Sequence, residues 1–150
     1  MKTKITIGIL AGLLCLAMPF ISRIPRGSAW VAQYLPDEGN FVSEAIFFGG
    51  FAVILAVVVF CSALLARAPY YLPVVASIMT TAILLGLWHH DNDLTADAQA
   101  AISLVFIPIY AAGAALITSL SGFGLQEAIQ SRRSKKQYKS EQATPRNPSD

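Results

Sequence analysis

A chain of 150 residues that is 55% apolar and 13% charged carries about half the charged share usual for a soluble globular protein. A soluble domain this short has too much surface for its volume to hide so much apolar side chain, so the composition excludes an ordinary water-soluble fold. The formal net charge of +2 is small and segregated, with no charged residue in 45–66, 68–88 or 98–124.

In chain order, the first apolar run covers residues 5–21 and follows Lys2 and Lys4. It is short, but within the length that crosses a hydrocarbon core about 30 Å thick. A cleaved signal would begin in the same way. Pro19, Arg23, Pro25 and Arg26 interrupt the region where a small-residue cleavage site belongs, so an uncleaved span is expected. Gly8 and Gly12 within it have the GxxxG spacing that lets two helices approach.

Residues 23–43 form a first loop in which Ser28 is expected to cap a short helix. Trp30 and Tyr34 then share a face and are expected at the lipid headgroups, and residues 36–40 break the chain. The second span, 45–66, begins after Ser43-Glu44 and closes at Arg67. The hinge Ala68-Pro69 leads at once into the third span, 70–88, so these two helices are expected to be antiparallel neighbours. Ser77 and Thr81 place their hydroxyls on one face of the third span.

The second loop, 89–97, holds His89, His90 and three aspartates. It is expected to be solvated and without a metal, because adjacent histidines point in different directions on a helix or a strand. Thr95 is the expected cap of the fourth span, 98–120, with Asp97 favourable near the positive helix end. Within that span lie Ser103, Pro108, where a kink is expected, and a small-residue run containing Gly113. Residues 126–150 read as a polar tail, disordered or partly helical, whose Arg132, Arg133, Lys135 and Lys136 are expected against anionic headgroups. Cys15 and Cys61 read as packing residues.

The expected fold is therefore all-α: a four-transmembrane-helix bundle over 1–125 with a disordered basic C-terminal tail over 126–150. With the N-terminus inside, nine of the eleven basic residues fall in the cytoplasm and only Arg23 and Arg26 fall outside. The basic-residue bias thus predicts both termini in the cytoplasm of a bacterial inner membrane. No ionisable residue lies inside a span, which argues against proton-coupled transport. No nucleophile–base pair, phosphate-binding glycine loop or zinc-protease motif occurs, so no enzyme, metal or cofactor is expected. Nucleic acid is not an expected partner of a membrane-tethered tail with a single aromatic, Tyr138.

In size, span number and lack of catalytic residues the chain resembles immunity proteins against pore-forming toxins. That resemblance implies a non-enzymatic protein acting by helix packing with another membrane protein, as an accessory subunit of a membrane complex would. The competing expectation is a small homo-oligomeric channel, holin-like pore or passive transporter, whose walls would use hydroxyls and carbonyls.

Overall fold

The computed structural model describes residues 2–35, 41–67, 71–96 and 98–143, with side chains except at 41–49, 98, 101, 139 and 141–143. The expected chain break at 36–40, the hinge at 68–69, Asp97 and residues 144–150 lie outside the described residues. What is described is helical: α1 (Lys2–Ile21), a 3-10 turn (Ile24–Arg26), α2 (Ser28–Ala32), α3 (Phe41–Leu65), α4 (Leu72–Asp91) and α5 (Ala98–Ala143). Among the described residues three helical segments are long and apolar enough to cross a membrane: Lys2–Arg26, Leu72–Asp91 and Ile102–Tyr138. The part of α3 with described side chains, Gly50–Leu65, is apolar but shorter.

Side-chain size dictates how these helices meet. Along α1 the inward stripe is Gly8, Ala11, Gly12 and Cys15, all buried. A Cβ on Gly8 would lie 2.7 Å from the Phe60 ring, and one on Gly12 would lie 3.7 Å from Ala56 Cβ. The GxxxG pair thus receives α3 running antiparallel. Along α4 the inward stripe is Pro73, Ser77, Thr81, Leu85 and His89, and it receives α5. Ser77 Oγ donates to the Ala115 carbonyl at 3.2 Å, and a Cβ on Gly122 would lie 2.8 Å from Pro73 Cα. Between α3 and α5, Ser119 Oγ sits 3.0 Å from Ser62 Oγ and 2.8 Å from the Ala115 carbonyl.

The main contacts therefore run α1 on α3, α3 on α5, α5 on α4 and α4 on α1. The expectation of α3 and α4 as antiparallel neighbours holds only near the hinge, where Ala63 and Ala66 meet Val74; over the rest of their length the two lie diagonally across the group. A short hinge forces antiparallel direction, but the small-residue stripes of α1 and α5 decide who packs on whom. The centre is filled by Ala11, Cys15, Leu55, Val59, Leu85, Ile107, Ala111, Ala112 and Ala115.

Helix α5 is continuous for 46 residues and runs unbroken through Pro108, so the tail expected to be disordered or partly helical is helical as far as Ala143. One further expectation is corrected. Gly113 is exposed and a Cβ there would meet nothing within 4 Å. The helix approach in that run belongs to Ala111, Ala112 and Ala115, which point inward. Of the hydroxyls, Thr81 Oγ1 is buried with no hydrogen-bond partner among the described residues.

Candidate functional site

One end of the structure buries an arginine beside a histidine and a tyrosine. There α1 and α4 both finish, and each leaves carbonyls without an intrahelical partner. The α1 chain turns through Ile24–Arg26 and then through Gly27, whose φ of 98° suits glycine because it has no Cβ to clash. Gly27, not Ser28, occupies the cap position of α2, and no side chain caps it. This turn folds the chain back so that Arg23, Trp30, Gln33 and Tyr34 surround a single point.

That point is the Arg23 guanidinium, which is fully buried. Its Nε donates to the Trp30 carbonyl at 2.7 Å, and Nη1 donates to the carbonyls of His89 at 3.1 Å and Asn92 at 2.5 Å. Nη2 donates to the Gln33 side-chain oxygen. Its Cζ lies 4.9 Å from the Trp30 ring centroid and 3.9 Å from that of Tyr34. A cation at a helix C-terminus meets the negative end of the dipole, and a planar fork with five donors satisfies several acceptors together. The α4 terminus is thus capped by a residue more than sixty positions earlier in the chain.

The neighbours complete the network. Tyr34 is buried, with its hydroxyl 2.8 Å from His89 Nδ1 and accepting from Asn92 Nδ2 at 3.3 Å. Burial pushes the Tyr34 phenol up, partly offset by Asn92 and the Arg23 charge. Ser103 Oγ lies 2.9 Å from Asn92 Oδ1, which ties α5 to the same point. Gln33 Nε2 donates to Asp93 Oδ1 at 3.1 Å. Thr95 gives its backbone N–H and its hydroxyl to Asp93, so it organises a turn rather than presenting a free cap, and these bonds hold the Asp93 carboxyl below its usual range. At the rim Arg26 stacks on Trp30 at 4.4 Å, pairs with Asp91 at 2.7 Å and donates from Nε to His90 Nε2 at 3.2 Å. His90 Nδ1 is 2.9 Å from the Ser22 carbonyl. Those partners suit a His90 ring that donates from Nδ1 and accepts at Nε2.

Several expectations are corrected here. The 89–97 segment is not a free loop, since His89 and His90 belong to α4 and His89 is buried. Trp30 and Tyr34 do not share one helix, since α2 ends at Ala32 and Tyr34 lies in the turn beyond it, yet both rings meet the Arg23 guanidinium and Tyr34 is buried. Among the described residues no three His, Cys, Asp or Glu side chains converge as metal ligands. Gly8, Gly12, Ser77 and Thr81 lie in helix contacts away from this end, Pro108 is buried, and Gly113 faces outward. Arg132, Arg133, Lys135 and Lys136 are exposed on the far part of α5.

The residues missed in the sequence are Arg23, Gln33 and Asn92. A signal for Arg23 exists: a cation immediately after an apolar helix, followed by two aromatics four residues apart. Comparison of the chain with family models, with curated proteins and with solved structures finds no match. The class defined by fold and site is an all-helical chain with apolar helices compatible with a membrane, closed at one end by a buried arginine.

Proposed function

We propose that the chain is a four-span protein of the bacterial inner membrane, both termini cytoplasmic, that acts without catalysis by packing against another membrane protein. An immunity protein against a membrane-active toxin or an accessory subunit has this form. The observation that carries the reading is the contrast between interior and exterior. Leu55, Val59, Leu85, Ala111 and Ala115 are at most 1% exposed and fill the centre, whereas Leu13, Val57, Ile83, Leu87 and Ile117 are at least half exposed. A filled interior supports no passage through one chain, and an apolar outer surface of this extent suits lipid and other apolar helices.

For the span count, α3 is 25 residues long and at 1.5 Å per residue covers about 37 Å, enough to cross. For orientation, Lys2, Lys4, Arg67 and the basic part of α5 belong to one end, while Arg23 and Arg26 belong to the other. A cytoplasmic reporter fused after Asp150 is expected to be active, as is a periplasmic reporter inserted in the turn at 94–96. Periplasmic activity at the C-terminus would reverse the orientation.

The function is tested by placing a photocrosslinking residue at the outward Ile117 and, separately, by reconstituting the pure protein in planar bilayers. The expected results are one discrete adduct with a different membrane protein and no conductance steps. Conductance steps, with adducts only to other copies of the chain, would replace this reading by the homo-oligomeric channel.

A further inference from the structure

Helix α5 does not stop where the other helices stop. Among the described residues its contacts with them toward this end include Gly122 against Pro73, the buried Gln126 and the exposed Arg67–Glu127 pair at 3.8 Å. Beyond Glu127 the helix continues to Ala143. Arg132 therefore stands about 7.5 Å, and Lys139 about 18 Å, past that level along the axis. A headgroup layer is only about 5–7 Å deep on each side, so a helix that continues straight carries most of its basic residues beyond the lipid.

The basic charge on this extension is one-sided. At about 100° per residue, Arg132, Arg133, Lys135, Lys136 and Lys139 fall within an arc of about 160°. Ser131, Ser134, Gln137 and Tyr138 occupy the opposite side. Followed back toward the bundle, the basic arc becomes Ala128, Leu125, Ser121 and Ile117, spaced three or four apart and all exposed. One uninterrupted ridge is thus apolar at the level of the bundle and basic above it. Like charges three and four apart on this ridge repel one another, and an acidic surface laid along the ridge would offset that repulsion.

We propose that this ridge docks a helix of a partner membrane protein that is apolar within the bilayer and acidic where it leaves it, on the side of the α5 C-terminus. This deepens the function proposed above, on which it rests, by giving the partner's chemistry. A second copy does not fit, because two chains inserted with the same topology would set basic ridge against basic ridge. Single-stranded nucleic acid wants aromatic platforms among the cations, and Tyr138 lies off the basic arc. Anionic headgroups, expected for Arg132, Arg133, Lys135 and Lys136, lie below an upright helix rather than beside it.

The test uses the full-length protein in phosphatidylcholine nanodiscs with labelled synthetic Leu/Ala transmembrane helices. These carry a Glu-rich, Gln-rich or Lys-rich extension on the α5 C-terminal side, and association is read by energy transfer. The Glu-rich probe is expected to bind about tenfold tighter than the Gln-rich one, about 1.4 kcal/mol. The fourfold variant Arg132→Glu, Arg133→Glu, Lys135→Glu, Lys136→Glu, which leaves the ridge net acidic, is expected to transfer that preference to the Lys-rich probe, which also shows that the variant is folded. Equal binding of all three probes would overturn the proposal. So would loss of Glu-probe binding on adding phosphatidylglycerol, or displacement of the probe by a single-stranded RNA oligonucleotide. Crosslinking at Ile117 reports separately on the proposed function: an intact adduct with no charge preference sinks only the acidic-partner inference.

Discussion

Replacing Arg23 by Met is expected to cost about 3–5 kcal/mol, because four acceptors lose their donor together and each buried unsatisfied group costs about 1–3 kcal/mol before water returns. The acceptors are the carbonyls of Trp30, His89 and Asn92 and the side chain of Gln33. Methionine keeps the apolar stem between Trp30 and Tyr34, so the loss reports on the guanidinium rather than on volume. Arg23→Lys is expected to recover little, since an ammonium is a compact charge that cannot reach acceptors spread around a planar fork. The measurements are the melting temperature in detergent, the Trp30 emission and protease sensitivity of residues 22–35. A red-shifted emission and faster cleavage in that segment are expected with α3 and α5 intact. An Arg23→Met protein that melts with the wild type would show that the buried cation contributes nothing net.

The second large effect separates two glycines of the same helix. Gly122→Leu is expected to destabilise by about 1–3 kcal/mol or more, because even its Cβ would lie 2.8 Å from the Pro73 backbone. A proline backbone in the first turn of α4 cannot swing aside, whereas the Phe60 ring facing Gly8 can. Gly8→Ala is therefore expected to be milder than Gly122→Ala. Gly113→Leu is expected to leave stability unchanged or slightly raised, since nothing lies within 4 Å of its Cβ and glycine is about 1 kcal/mol poorer than alanine in a helix interior. Equal melting temperatures for Gly122→Leu and Gly113→Leu would remove the basis for the α4–α5 contact.

The same pair shows how far the chain order could be read. Gly8 and Gly12 carried their own spacing, and the structure places that stripe against α3. Gly113 stood in a run of alanines just as suggestive, yet it points outward while Ala111, Ala112 and Ala115 point in. Composition alone does not say which face of an evenly apolar helix is inside, because every face is apolar. Gly122, outside any such run, makes the closest approach to Pro73.

The sequence by itself determined the helical class, the apolar segments and the segregation of charge, because each follows from side-chain hydrophobicity along a local stretch of chain. Only the tertiary structure decided that α3 and α4 lie across from one another, because helix partners are chosen by matching small and large residues far apart in sequence. Only the tertiary structure decided the fate of Arg23, whose acceptors at His89 and Asn92 are 66 and 69 positions away. A backbone carbonyl is present at every residue and leaves no mark in the sequence. Which carbonyls a buried cation finds is set by where two helices happen to end together.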